Sequence, residues 1–221
     1  AEELAKEMIE IGKLANKETI CVLTNMDEPL GYTIGNNLEV IEAIEFLNGK
    51  MPEDLKKVVL ELGSYMIKLA GLGDNLEENK IKMLDNIKNG KALKKFEEMV
   101  KNQGGDTEYL ENTSKFPRAK YIEAIKAKQS GYIQEINAEE VGKVACNLGA
   151  GRIRKEDKID NTVGVKLCKK VSYKVEVGEE LAYIYANNIE KLQTAKKELE
   201  KIIKISNNKI EEKPTILEIY K

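Results

Sequence analysis

The apolar residues of this chain change their period once, and that change limits the folds open to it. Up to about residue 103 they recur at helical spacing. Beyond Gly104-Gly105-Asp106 they fall into short β-branched runs separated by glycine and polar turns. Leu4, Ala5, Met8, Ile9 and Ile11 open the chain as a helix, although no Ser, Thr, Asp or Asn precedes Ala1 to cap it. A segment upstream of Ala1 is therefore expected. Leu38, Ile41, Ala43, Ile44 and Leu47 mark a second amphipathic helix. Leu55, Val58, Val59, Leu62, Met66 and Leu69 mark a third, entered through Pro52. Two further helices, 76–89 and 92–102, are divided by Gly90.

Into this helical half is set Thr19-Ile-Cys-Val-Leu-Thr24, an apolar run that reads as a strand buried on both faces. It is followed by the aperiodic stretch 25–36, with Pro29, Gly31 and Gly35. In open α/β sheets ligands bind at that carboxyl edge. In the second half, 121–127 and 132–136 flank Gln129-Ser130-Gly131 as an expected hairpin. Asn137 and Glu140 have the spacing of a capping box. Strands are expected at 163–171, 174–177 and 181–186, then a helix carrying Ile189, Leu192, Leu199, Ile202 and Ile203, then a terminal strand at 214–220. The fold class is thus α/β plus α+β. Helices surround part of a mixed sheet in domain 1–103, a linker spans 104–118, and an α+β domain with a small antiparallel, barrel-sandwich-like sheet occupies 119–221.

Composition narrows the chemistry. The 221 residues include no histidine, which removes the commonest general base, the Ser-His and Cys-His nucleophile pairs and most zinc sites. Lys and Arg total 36 against 38 Asp and Glu, so no net field draws the chain to nucleic acid or an acidic membrane. No apolar run reaches the roughly 20 residues of a membrane span, and a cytoplasmic location is expected. Cys21, Cys146 and Cys168 are odd in number and far apart, so buried reduced thiols are expected rather than a disulfide framework or a thiolate metal site.

Three motifs have both a structural and a functional reading. Leu148-Gly-Ala-Gly-Arg-Ile-Arg154 is either a helix end with its glycine cap and polar linker or a lid over an anion. Glu39, Glu42 and Glu45 form a row on one helix face; such a row is usually solvated, but one carboxylate beside loop carbonyls can bind a hard cation through oxygen. The runs at 131–136 and 175–185 look like the hairpins of biotinyl and lipoyl carrier modules, yet no lysine stands at a hairpin tip, so they read as scaffold.

Taken in order, Thr24-Asn-Met-Asp-Glu-Pro-Leu-Gly-Tyr-Thr-Ile-Gly-Asn-Asn-Leu-Glu-Val-Ile-Glu-Ala-Ile44, Leu62-Gly-Ser64, Asn102-Gln-Gly-Gly-Asp106, Leu148-Gly-Ala-Gly-Arg152, Lys155-Glu-Asp157, Ile159-Asp160 and Val163-Gly164 closely resemble the pyrimidine-nucleoside and thymidine phosphorylases. The resemblance covers the carboxyl half of that family. It implies reversible phosphorolysis of thymidine, uridine or deoxyuridine by a homodimeric enzyme, with phosphate as co-substrate. The phosphate loop, the groups that hold the pyrimidine and the catalytic residues would lie in a missing N-terminal half, so this chain alone is expected to be inactive. The resemblance also implies a potassium-type cation held by the backbone carbonyls of Leu30 and Thr33 and the carboxylate of Glu42, with Thr33 in place of a usual alanine; further oxygens would come from the missing half, so this chain carries a half-site that binds the ion weakly on its own. Gly149, Gly151 and Arg152 match a segment near the substrate cleft. Ser172-Tyr173 stands where relatives commonly have Gly-Asp in a turn, which leaves that turn's geometry open. The alternative reading is a non-catalytic module that docks a partner through its C-terminal sheet.

Overall fold

The computed structural model describes residues 1–152 and 154–221. Its first elements are helix α1 (Glu2–Leu14), strands β1 (Cys21–Thr24) and β2 (Thr33–Ile34), and helices α2 (Asn36–Leu47), α3 (Glu53–Leu69), α4 (Leu76–Lys88), α5 (Lys91–Asn102) and the single turn α6 (Glu108–Glu111). Strands β3 (Tyr121–Lys126) and β4 (Gly131–Ile136), helix α7 (Ala138–Ala145) and a wide turn at Cys146–Ala150 follow. The chain ends with β5 (Gly164–Leu167), β6 (Lys174–Val175), β7 (Glu180–Ala186), α8 (Ile189–Ile202), β8 (Ile203–Ser206) and β9 (Ile216–Tyr220).

These elements fall into two compact units, and the chain enters each more than once. The first comprises Ala1–Asn25, Leu47–Glu98 and Lys213–Lys221, the second Met26–Phe46 and Met99–Glu212. This division differs from a succession of 1–103, 104–118 and 119–221, because strand pairing overrides sequence order. β9 returns to pair with β1, and β2 pairs with β5.

In the first unit β1 and β9 run antiparallel, Val22 opposite Ile219. The run at 19–24 was expected to be buried on both faces of a mixed sheet. β1 is instead half-buried along its length, and every strand pairing among the described residues is antiparallel. α1 turns Ala5 and Ile9 inward, and the Cys21 thiol donates to the Ala5 carbonyl at 3.6 Å. The Asn75 side chain caps α4 by accepting from the Glu77 and Glu78 N–H groups. Asn79, fully buried, donates its amide to the carbonyls of Ser64 and Gly73 at 3.2 and 2.8 Å. One side chain thereby ties α4 to α3 and to the turn that joins them, and supplies donors to two backbone oxygens that burial would leave costly if unpaired.

The second unit is α+β. A four-stranded sheet of order β2-β5-β7-β3 and a three-stranded sheet of order β6-β4-β8 share one apolar core, with Ile133, Val141, Val163, Val165, Ile184 and Leu199 completely buried in it. Neither sheet closes into a barrel. The expected hairpin does not form: β3 pairs with β7, whereas β4 pairs with β6 and β8. The reason lies at Gly131, where φ is +154° and a Cβ would stand 2.4 Å from the Ser206 carbonyl oxygen, so only glycine lets β4 start this close to the other strand. Asn137 caps α7 as its spacing indicates, accepting from the Glu140 N–H at 3.0 Å. α8, capped by Asn188, lays Leu192, Ala195, Leu199 and Ile202 into the core. No described helix is long and apolar enough to cross a membrane.

Ser172 has φ of +73°, a left-handed conformation that costs a side-chain-bearing residue about 1–2 kcal/mol. The turn geometry left open by Ser172-Tyr173 is thus a left-handed one carried by a serine. Ser172→Gly is expected to raise stability by roughly 0.5–1 kcal/mol once glycine's larger unfolded-state entropy is subtracted. Equilibrium urea unfolding checks this.

Candidate functional site: a carboxylate-capped loop

The loop 26–33 and the helix that follows it belong to the second unit. α2 starts two residues after β2, so it folds straight back beside the loop. Glu39, in its first turn, accepts from the Gly35 N–H at 2.9 Å and acts as a local cap. Glu42 lies three residues further on. Its Oε1 accepts from the Tyr32 N–H at 2.9 Å and its Oε2 from the Thr33 hydroxyl at 3.0 Å. Of the glutamate row, then, Glu42 is the member whose carboxylate closes the loop, and it is no solvated side chain.

Gly31 makes this approach possible. Its φ is +68°, and a Cβ there would lie 2.4 Å from Glu42 Oε2. The loop thus leaves a space that fits a carboxylate oxygen and excludes a methyl group. Thr33 is 9% exposed. Its backbone orientation follows from register: Leu167 N–H donates to the Tyr32 carbonyl at 2.7 Å, and Thr33 stands opposite Lys166. Opposed residues in an antiparallel pair alternate between exchanging both hydrogen bonds and exchanging none. Tyr32 and Leu167 are a bonded pair, so Thr33 and Lys166 are a non-bonded one. β2 is the edge strand of its sheet, and the Thr33 carbonyl therefore points off that edge. Leu30, 38% exposed, precedes Gly31 in the same loop.

Thr33 and Glu42 are thus in direct contact, and Leu30 precedes Gly31, the residue that Glu42 approaches, in the same loop. The donors available there are backbone carbonyls, a hydroxyl and a carboxylate, an all-oxygen set that suits a hard cation. A carboxylate has about four lone-pair positions, and the two hydrogen bonds on Glu42 leave acceptor capacity. No three His, Cys, Asp or Glu side chains converge among the described residues, so a cation at this loop would draw mainly on backbone oxygen. The residues fit a potassium-type ion in donor chemistry.

Gly149, Gly151 and Arg152 lie on a different segment, at and beyond the wide turn that ends α7; Ile153, in the same motif, lies outside the described residues. Gly149 has φ of +124°, and its carbonyl accepts from the Asp160 N–H at 2.9 Å. The next carbonyl, of Ala150, accepts from the Asn36 amide at 2.9 Å, which fastens this segment to the start of α2. Gly151 packs against Cys146, and Arg152 is exposed. Asp160 anchors the far end of the segment through bonds from the Thr162 N–H and hydroxyl and the Asn187 amide. Burial alone would push its carboxyl up, but these bonds and the nearby Lys191 bring it below the usual carboxylate value. The three cysteines are free and half-buried rather than fully buried, and burial pushes the Cys168 thiol up.

The sequence reading missed one group. Lys170, 5% exposed, sends its ammonium to the Pro29 carbonyl, lies 3.8 Å from Glu28 Oε2 and sits 5.5 Å from the centre of the Tyr32 ring. Nothing in the doublet Lys169-Lys170 separates a buried lysine from an exposed one, and lysine is seldom buried.

An α+β unit with an oxygen-lined loop capped by one glutamate is the class of structure defined so far, and comparison with known proteins gives it a family. Residues 132–206 match the pyrimidine nucleoside phosphorylase C-terminal domain. The chain is 50% identical over 187 residues to a pyrimidine-nucleoside phosphorylase of Bacillus subtilis, which is 85% of this chain and 43% of that protein. It is 43% identical over 217 residues to the one from Geobacillus stearothermophilus, covering 98% of this chain and 50% of the relative. The corresponding figures for a Staphylococcus aureus pyrimidine-nucleoside phosphorylase are 41% over 217 residues, 98% and 49%. The chain belongs to the pyrimidine-nucleoside phosphorylase family through its C-terminal domain, and it spans about half the length of the curated relatives it matches.

Proposed function

We propose that this chain works as the carboxyl-terminal half of a pyrimidine-nucleoside phosphorylase, a pentosyltransferase in which phosphate attacks the anomeric carbon of thymidine, uridine or deoxyuridine and the free base leaves. The observation that carries this reading is relatedness along 98% of the chain to half of a relative named for that activity. Catalysis of this kind depends on holding phosphate and nucleoside in line and stabilising the departing base. In this reading the chain provides one wall of the cleft, with Gly149, Gly151 and Arg152 bordering the substrate. The carbonyls of Leu30 and Thr33 and the carboxylate of Glu42 hold a potassium-type ion, which adds a fixed positive charge to the loop when bound. The anion cradle and the base-holding groups come from the other half, and the complete enzyme is a cytoplasmic homodimer.

The test is reconstitution. The purified chain by itself is expected to release no thymine from thymidine or uracil from uridine in phosphate. Mixed with the half of the Geobacillus stearothermophilus enzyme that it does not match, it is expected to form a heavier complex and restore phosphate-dependent release. Activity of the chain alone would overturn the division of labour, and a mixture that neither associates nor turns over would overturn the reading itself.

A further inference from the structure

We propose that Lys170 is a positioning residue for the cation loop, acting by taking the Pro29 carbonyl out of the set of oxygens that can face the ion. This rests on the cation reading of Leu30, Thr33 and Glu42 given above.

A site made of backbone carbonyls is selective only if the right carbonyls are turned toward the ion and held there, because a glycine-containing loop can rotate its peptide planes at little cost. Gly31, at φ +68°, is such a pivot, and the carbonyls on either side of it need fixing from outside the loop. The structure shows two clamps on opposite limbs. On the carboxyl limb, Glu42 holds the Tyr32 N–H and the Thr33 hydroxyl, and the Leu167 N–H occupies the Tyr32 carbonyl. On the amino limb, the Lys170 ammonium occupies the Pro29 carbonyl.

Lys170 is itself held by a built environment. Glu28 Oε2 lies 3.8 Å from its Nζ and also accepts from the Val171 N–H at 3.1 Å, so charge partner and backbone are fastened together. The Tyr32 ring lies beside the ammonium, and the Tyr32 and Tyr173 hydroxyls are 3.3 Å apart. The turn that carries Lys170 and Tyr173 thus grips both ends of Pro29-Leu-Gly-Tyr32. With the Pro29 and Tyr32 carbonyls each held by a donor from outside the loop, the peptide planes that flank the Leu30 and Thr33 carbonyls, the expected ligands, are fixed in orientation. The Lys170 ammonium competes with a metal cation for the Pro29 carbonyl, which an apolar side chain such as methionine could not do, and so biases which neighbouring carbonyls serve.

The experiment uses the thallous ion as a potassium surrogate, titrated into the 221-residue chain and followed by thallium NMR, with carbonyl carbon shifts read on isotopically labelled protein. Weak but saturable binding is expected of this half-site, with the Leu30 and Thr33 carbonyl signals moving and the Pro29 signal unmoved. Glu42→Gln is expected to weaken binding at least tenfold, and so is Lys170→Met, while Lys170→Arg, which keeps a cationic donor, is expected to stay within about threefold of wild type. Binding that persists unchanged in Lys170→Met, or a Pro29 carbonyl that shifts with the others, would overturn the role of Lys170 and leave the cation site standing. The Pro29 readout is made on wild-type protein and does not depend on the Met variant folding. Absence of saturable binding in the wild type would overturn the cation reading, and this inference with it.

Discussion

Gly31→Ala is expected to destabilise the second unit by about 2.5–5 kcal/mol, far more than a left-handed glycine replaced in open space. The backbone strain of φ +68° accounts for about 1–2 kcal/mol of this. The remainder comes from the new methyl group, which would stand 2.4 Å from Glu42 Oε2 and force the carboxylate off the Tyr32 N–H and the Thr33 hydroxyl. Losing hydrogen bonds to a charged acceptor costs about 1.5–3 kcal/mol. Gly71 supplies the control, because it has nearly the same φ, +69°, and nothing within 4 Å of its Cβ position. Gly71→Ala is expected to cost only the strain. Equal losses for the two variants in equilibrium urea unfolding would show that Glu42 does not depend on the space above Gly31. A larger loss at Gly31, accompanied by loss of thallous ion binding, ties the glycine to the site as well as to the turn.

What could be read in advance divides along a physical line. Local signals were legible: Asn137 caps α7 from its spacing to Glu140, Gly90 separates α4 from α5, and Gly104 marks a change of texture. Such features depend on a few neighbouring backbone groups and leave a mark in a few residues of sequence. Which strand pairs with which was not legible. β3 and β4 alternate correctly and are separated by a turn-forming sequence, yet they enter different sheets because Gly131 admits the Ser206 backbone. Period-2 alternation states that a residue faces a core and is silent about the strand beside it. The same limit explains the run at 19–24. An apolar segment reads as buried on both faces, whereas β1 has β9 as its one neighbour among the described residues and stays half-buried.

The candidate site shows a finer version of this division. Spacing put Glu39, Glu42 and Glu45 on one face without ranking them, and only resemblance singled out Glu42. The geometry explains the distinction between the first two: Glu39 reaches back to the Gly35 N–H at the start of its own helix, while Glu42 reaches across to the loop. Lys170 had no signal at all, since a single buried lysine in a lysine-rich stretch is set by contacts to Glu28, Pro29 and Tyr32 that lie about 140 residues away in sequence. Long-range polar contacts of this kind are where a sequence read by period and composition falls silent.

The scaffold that holds those contacts is tested by Leu199→Ala, expected to cost about 3–4 kcal/mol. Leu199 is 0% exposed on α8, in the same core as Ile133, Val165 and Ile184 from both sheets. Truncation removes three carbon atoms' worth of burial and leaves a space that two sheets and a helix cannot readily collapse into, and buried leucine-to-alanine changes cost roughly 2–5 kcal/mol for this reason. For a unit of this size that is a fall in melting temperature on the order of 10 °C. Leu217, 51% exposed on β9 of the first unit, is the contrast: Leu217→Ala is expected to cost under about 0.5 kcal/mol. A loss below 1 kcal/mol at Leu199 would mean that the two sheets do not share one tightly packed core. In that case the register that turns the Thr33 carbonyl off the sheet edge would lose its support, because β2 is held in place through β5, whose Val165 and Leu167 side chains are buried in that same core.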